Sequence, residues 1–303
     1  MIKEVLLTNA RYDGRGQGIA GRARNDGMRR GIAGTPAMTG GLSRNQNHNN
    51  KWEVIVITLE QFFKENPSIA LGFSGGVDSS YLLYAGLRLG AKVKAYFVKT
   101  EFQPDFELQD AYRIAEQLGT KITVLEIDIM DNEQVVYNPP DRCYFCKAAI
   151  FGALRKQASA DGITLVIDGT NASDDIADRP GIKALSELSV RSPLRECGIT
   201  KAEVRRLSKD AGLFTWDKPA YACLATRIPS GRSITKELLR RVEGAEDALF
   251  ALGFTDLRVR VFEGAARLQF PKSQMSEAVN KNAEIVKALK PYFSSVLLDL
   301  EGR

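Results

Sequence analysis

Seven consecutive residues, Ser74, Gly75, Gly76, Val77, Asp78, Ser79 and Ser80, carry the strongest chemical signal in the chain. They follow a short apolar run and precede an amphipathic stretch, so the glycines fall where a strand turns into a helix. Glycine there lets the backbone turn sharply and expose its amides, and the helix N-terminus adds partial positive charge. These are the ingredients of a phosphate cradle. The hydroxyls of Ser74, Ser79 and Ser80 can donate to phosphate oxygens, and Asp78 can brace the loop or hold Mg²⁺. The Gly-Lys-Ser/Thr ending of a Walker loop is missing, which argues against γ-phosphoryl transfer. A Gly-Gly turn before a helix is common by itself; the whole string after an apolar strand is what points to phosphate.

Asp168, Gly169, Thr170 and Asn171, followed by Asp174 and Asp175, form a second polar group. They follow a predicted strand, and ligands of open α/β sheets bind outside the carboxyl ends of the strands. Ser192, Pro193 and Leu194 are a third short candidate. Ordinary turn chemistry accounts for both as an alternative, since Asp, Gly and Asn favour turns.

Sulfur supplies the remaining chemistry. Cys143 and Cys146 form a C-x-x-C at the start of a predicted helix, Cys223 lies in a long loop, and Cys197, just before a helix, reads as structural. A structural zinc site needs four ligands. The one histidine, His48, is in the N-terminal tail, so only Cys197 could complete a Cys₄ set, and general-base or triad schemes have no folded histidine. Three thiolates suit a [4Fe-4S] cluster whose fourth iron binds an exogenous ligand such as hydrosulfide. A redox dithiol competes, although its motif should directly follow the first strand of a βαβ unit rather than Pro139 and Pro140. Unrelated thiols are the third reading.

The elements that must hold these residues alternate from Trp52 onward. Helix is expected over 53–66, strand over 69–73, helix over 79–89, strand over 93–98, helix over 105–118 and strand over 121–127. A helix over 144–158 and a strand over 164–167 follow. Such alternation predicts a parallel sheet covered on both faces. The last third changes character: helix over 235–252, strands over 256–262 and 265–270, helix over 273–289 and strand over 294–300. The expected division is a disordered extension at 1–50, a nucleotide-binding α/β domain at 51–217, a linker at 218–233 carrying Cys223, and a smaller α+β domain at 234–303.

Composition narrows the partners. The 303 residues carry a net charge of +5 with 44% hydrophobic content, ordinary for a globular protein of roughly two domains. Residues 1–50 hold eight basic and three acidic residues, leaving 34 of each in the body. The excess charge therefore belongs to a Gly-, Arg- and Asn-rich tail, read as a dispensable extension or mistaken start, with an RGG-like nucleic-acid arm as the alternative. A neutral body gives no sign of a nucleic-acid face. With no apolar run of about 18 residues and no secretory signal, no membrane partner is expected and the expected location is cytoplasmic, where cysteines stay reduced.

SGGVDSS resembles the SGGxDS loop of the PP-loop ATP pyrophosphatases, which implies AMP transfer with release of pyrophosphate. Five further strings occur in order: TEF at 100–102, PPDRCYFCK at 139–147, DGTNASDD at 168–175, RPG at 179–181 and KPAYACLATRIPSG at 218–231. Together with Leu257-Arg258-Val259-Arg260 and Leu298-Asp299-Leu300, they resemble the LarE family from about Trp52 to the end. That resemblance implies a PP-loop fold of the adenine nucleotide α-hydrolase-like type and a nucleotide-like substrate, pyridinium-3,5-biscarboxylic acid mononucleotide. Its carboxylates would be adenylated and converted to thiocarboxylates in nickel-pincer cofactor biosynthesis.

The resemblance further implies ATP, Mg²⁺ and a cluster on Cys143, Cys146 and Cys223. In sacrificial members, Cys223 stands where the cysteine gives up its own sulfur; here the three-cysteine version, fed by sulfide or another sulfur donor, is expected. Arg258 and Arg260 are implied to bind the substrate phosphate, with Arg227 and Glu246 near the substrate, and a homo-oligomer, commonly a hexamer, is implied. Alternating residues on a strand share a face, so the two arginines could form one anion site, against a solvated edge strand as the plain alternative. The chain stops where relatives often continue, so truncation at the C-terminus is part of the expectation. A tRNA thiolase is the first rival, an ammonia-dependent synthetase the second and a redox-regulated nucleotide-binding protein the third.

Overall fold

Residues 58–175 and 180–303 are described by the computed structural model; the tail, His48, residues 53–57 of the expected first helix and Arg179 lie outside them. The chain begins with α1 (Leu59–Glu65), capped by the Thr58 hydroxyl, then β1 (Ser68–Gly72), α2 (Val77–Arg88), β2 (Lys92–Lys99), α3 (Asp105–Gln117) and β3 (Ile122–Glu126). A short α4 (Glu133–Val136), the long α5 (Arg142–Ala160) and β4 (Val166–Ile167) follow. The four strands are parallel in the order β3-β2-β1-β4.

Period-two burial explains why this sheet is covered on both faces. Ile69 and Leu71 of β1, with Val93, Ala95 and Phe97 of β2, pack into one cluster with Phe62, Leu82 and Ile114. The intervening Ala70, Tyr96 and Val98 face Phe151, Leu154 and Val166 on the other side. Strands buried on both faces read as continuous apolar runs. The strand expected over 164–167 is confined to Val166–Ile167.

Three helices then lead away from β4: α6 (Pro180–Glu187), α7 (Pro193–Glu196) and α8 (Lys201–Asp210). Thr200 and Glu203 form a capping box at the start of α8, satisfying two amide donors that the helix end would otherwise orphan. Cys197 closes α7. After the loop bearing Cys223 come α9 (Lys236–Ala251), β5 (Arg258–Phe262), β6 (Ala265–Gln269), α10 (Met275–Asn280), α11 (Asn282–Leu289) and β7 (Val296–Leu298). The second sheet has the order β5-β6-β7, antiparallel then parallel.

The single helix expected over 273–289 is divided. A 3₁₀ turn at Lys272–Gln274 precedes α10, and Lys281 at φ −90° and ψ 20° ends α10 and begins α11. Apolar residues continue past the break, which is why periodicity alone did not locate it. The described residues form one compact unit. Its largest core takes Phe102, Ile129, Val135 and Cys146 from the first half and Leu239, Val242, Leu249, Val259 and Leu268 from the second.

Candidate active site

β1 delivers the chain to Ser74, and α2 starts three residues later with Gly76 as its N-cap. Gly75 has φ +67°, and a β-carbon there would stand 3.0 Å from Ala111 N and 3.1 Å from Glu107 O. The loop is therefore pressed against α3 and requires glycine. The Ser79 hydroxyl accepts from the Ser74 amide at 3.2 Å and closes the loop on itself. Ser80 differs from its expected use: it is fully buried, and its hydroxyl lacks a hydrogen-bond partner.

The cavity at this loop measures 550 Å³, within the ~300–1,000 Å³ usual for small-molecule sites. Ser74, Asp78 and Ser79 line it together with Asp168, Gly169 and Thr170, so both polar strings meet in one place. The Asp168 carboxylate is buried and accepts from the Thr170 hydroxyl at 2.5 Å and the Ser192 hydroxyl at 2.6 Å, which ties in the third candidate as well. Gly169 lets this turn approach the loop, since a β-carbon there would meet Ser79 N at 3.2 Å.

Lysines that sequence reasoning passed over complete the cradle. Lys201 pairs with Asp78 at 2.5 Å, and the Asn171 amide donates to the same carboxylate at 3.3 Å. Asp78 thus braces the loop against α8. Lys147 lines the cavity 3.9 Å from Asp168. Lys218 pairs with Asp110 at 2.7 Å and comes within 3.5 Å of the Gly75 carbonyl. One signal was available: Lys147 is four residues after Cys143 on α5, and i,i+4 positions share a helix face.

Cys143 also lines the cavity. The guanidinium of the preceding Arg142, itself buried, places Nη2 3.9 Å from Cys143 Sγ and 3.8 Å from Cys223 Sγ. The two sulfurs are thereby no farther apart than the sum of those distances, although 80 residues separate them in the chain. Arg142 is fixed by donating to Asn138 Oδ1 at 2.8 Å and the Ala225 carbonyl at 3.0 Å, while its Nε has no partner. Burial pushes the Cys146 thiol up to about 12 against the pull of Arg142, and Cys223 and Cys143 contribute further in the upward direction. Burial likewise raises Cys223, again opposed by Arg142. Cys197 is raised to about 11 by burial and Glu196, with none of the other thiols among its influences.

Arg227 and Glu246 form a fully buried pair at 2.8 Å. Burial alone would lower the Arg227 guanidinium, but the hydrogen bond and charge of Glu246 outweigh it and leave it raised. Arg227 also donates to the Ala222 carbonyl at 2.8 Å, and Glu246 accepts from the Val259 amide at 2.8 Å and from the Tyr221 hydroxyl. The pair therefore holds the Cys223 loop between α9 and β5. Arg258 is buried and donates to the Ala220 carbonyl at 2.6 Å; Arg260 donates to the Thr226 carbonyl at 2.7 Å. Both arginines of β5 thus reach the same loop. Burial, with Arg227 and Arg303 nearby, brings Arg258 down to about 10.

The right donors for an iron cluster are present, three thiols gathered on one cation. Their placement is not that of ligands: among the described residues no three of His, Cys, Asp and Glu are close enough to share a metal ion, and Arg142 contacts two of the sulfurs.

A glycine-turned loop at the carboxyl edge of a parallel sheet, opening on a cavity of hydroxyls, carboxylates and lysines, defines an ATP-using α/β enzyme of the PP-loop class. The asparagine synthase family matches residues 61–177. An uncharacterized protein of Synechocystis is 40% identical over 80% of this chain and 92% of its own length. The pyridinium-3,5-bisthiocarboxylic acid mononucleotide synthase of Lactiplantibacillus plantarum is 32% identical over 81% of this chain and 90% of its own. The chain belongs to the LarE family. The tRNA-specific 2-thiouridylase MnmA of Thermotoga maritima is more distant, 26% identical over half of this chain. No helix among the described residues is long and apolar enough to cross a membrane.

Proposed function

We propose that the protein is an ATP-dependent sulfurtransferase that adenylates the carboxylates of pyridinium-3,5-biscarboxylic acid mononucleotide and replaces an oxygen of each by sulfur. The observation that carries this reading is the placement of Cys143 in the wall of the phosphate cavity, with Cys223 joined to it through Arg142. Sulfur chemistry and phosphate chemistry share one space. A PP-loop enzyme that uses ammonia would have no task for those thiols.

ATP enters as its Mg²⁺ complex, so the ion is part of the substrate. The loop amides and the α2 N-terminus receive the β,γ-pyrophosphate, with Lys147 and Lys218 as nearby positive charge. A carboxylate oxygen of the acceptor attacks the α-phosphorus, and pyrophosphate leaves. Hydrosulfide from a sulfur donor, received at the Cys223 loop, then attacks the acyl carbon; the C–S bond forms as the C–O bond to AMP breaks, AMP departs with the original oxygen and the thioacid gives its proton to solvent. Asp78→Ala, which removes the brace to Lys201, should reduce pyrophosphate release at least ~100-fold, on the scale of losing one preorganised electrostatic element. Cys223→Ala should retain pyrophosphate release and lose thiocarboxylate formation. Near-normal release from the first variant, or thiocarboxylate from the second, counts against the mechanism.

The second part of the proposal is a [4Fe-4S] cluster held by Cys143, Cys146 and Cys223. Such a cluster, when bound, supplies an open iron able to carry hydrosulfide. Support comes from the three thiols grouped about Arg142, which contacts Cys143 and Cys223 and acts on Cys146. Anaerobic reconstitution with iron and sulfide should give broad violet absorption that Cys143→Ser abolishes. A colourless protein that performs many turnovers rejects the cluster and leaves the sulfurtransferase reading standing.

A further inference from the structure

Arg142, the first residue of α5, is a buried cation without an acid to meet it. Its acceptors are neutral, Asn138 Oδ1 at 2.8 Å and the Ala225 carbonyl at 3.0 Å, and among the described residues no carboxylate pairs with it. Arg227, enclosed beside the same loop, has Glu246. The frame around Arg142 is firm. Asn138 is buried and holds φ +55°, a left-handed conformation that asparagine tolerates better than most residues, and its amide donates to the carbonyls of Pro229 at 2.9 Å and Arg232 at 3.2 Å. The Phe102 ring lies 5.8 Å from the guanidinium carbon.

One nitrogen of this guanidinium is left to receive a ligand. Nη1 uses both hydrogens on Asn138 and Ala225, and Nε is enclosed with no partner. Nη2 touches Cys143 Sγ at 3.9 Å and Cys223 Sγ at 3.8 Å, and thiols are weak acceptors. These contacts are only partly buried, whereas those of Nη1 are fully so; Cys143 is exposed and lines the phosphate cavity.

We infer that Nη2 of Arg142, flanked by Cys143 and Cys223, is the binding site of hydrosulfide, the second substrate of the sulfur step. The inference rests on the sulfurtransferase reading and needs no iron. A buried charge is costly unless it is paired, so the guanidinium calls for an anion that the chain itself does not supply. Its free donors select which one. Carboxylates and phosphates are gripped by two parallel N–H groups of the arginine fork; here that fork is not free, and a compact monovalent anion suits the one open nitrogen. Cys143 sets the site at the wall of the cavity in which the acyl adenylate forms.

The test uses the full-length protein, before and after removal of iron by chelation, with bromide as an unreactive stand-in for hydrosulfide. Bromide should compete with sulfide in thiocarboxylate formation, and crystals soaked in sodium bromide should show an anomalous peak at hydrogen-bond distance from Nη2. Arg142→Met should raise KM for sulfide about tenfold or more, the effect of losing one hydrogen bond to a charged group, with much of the rate recovered at saturating sulfide. In that variant the bromide peak and the competition should both vanish, and Arg142→Lys, which keeps the charge, should recover part of the sulfide affinity. A merely structural role for Arg142 would not link bromide to sulfide. Should the methionine variant fail to fold, the parent decides: no peak at Nη2 and no competition overturn the site, and a peak without competition marks an adventitious ion only and overturns it too. A KM for sulfide that follows iron content and ignores both substitutions assigns reception to iron and likewise overturns the proposal. The two readings fail separately. Thiocarboxylate formed with an unchanged sulfide KM in folded Arg142→Met sinks the site alone, whereas bromide held at Nη2 with no acceptor-dependent pyrophosphate release sinks the proposed function and leaves a bare anion site.

Discussion

At the scale of single residues, Glu107 shows how the site handles a charge it does not pair. It lies in the first turn of α3 beside Gly75, and burial pushes its carboxyl up to about 7, against the opposing influence of Lys218, Lys99 and Arg227. A carboxyl whose folded pKa is raised contributes stability that is fully present below its unfolded pKa and is lost as pH rises through the folded value. Glu107→Gln removes that titration. The variant should match the parent in melting temperature near pH ~4, where both are neutral, and exceed it by a few degrees above about 7. Melting curves across this range check the sign, and a parent that gains on the variant as pH rises would show that Glu107 finds a cationic partner.

At the scale of elements, the phosphate loop is held between helices rather than by its own residues alone. Gly75→Ala places a β-carbon against the α3 backbone at a residue with φ +67°. The left-handed conformation alone costs an alanine about 1–2 kcal/mol, and the contact adds to it, so the loop should shift and KM for ATP should rise about tenfold or more. Steady-state pyrophosphate assays measure this; a KM unchanged within twofold would mean that α3 yields to the new methyl group. The loop and its flanking strand and helix were legible because their signal is local: an apolar run, two glycines, three hydroxyls. Asp168 and Ser192 were visible as candidates but not as one unit, because the 2.6 Å bond between them closes only when β4 and α7 come together. Arg142 was quoted within PPDRCYFCK without a role, since nothing near it in the chain reveals that it reaches Cys223. The same applies to Lys201 and Lys218, whose partners lie more than 100 residues away.

At the scale of the whole molecule, the two sheets were expected in separate domains, and a shared core joins the elements that carry them. Phe102, Ile129, Val135 and Cys146 pack in one cluster with the buried faces of α9, β5 and β6. The Cys223 loop is bonded into both halves: the Leu224 amide donates to the Phe102 carbonyl at 2.9 Å, and Arg227 is sealed against Glu246 of α9. Separating the halves would expose that core and strip a buried guanidinium of its carboxylate. Calorimetry of the full chain should therefore show one cooperative transition with matching van't Hoff and calorimetric enthalpies. Glu246→Gln should move this transition as a whole: breaking a buried ion pair costs about 3–5 kcal/mol, which for a unit of this size lowers Tm by roughly 6 °C or more. Two resolved transitions, of which Glu246→Gln moves only one, would mean that the C-terminal sheet folds as a domain of its own and that the shared core is an interface between finished parts.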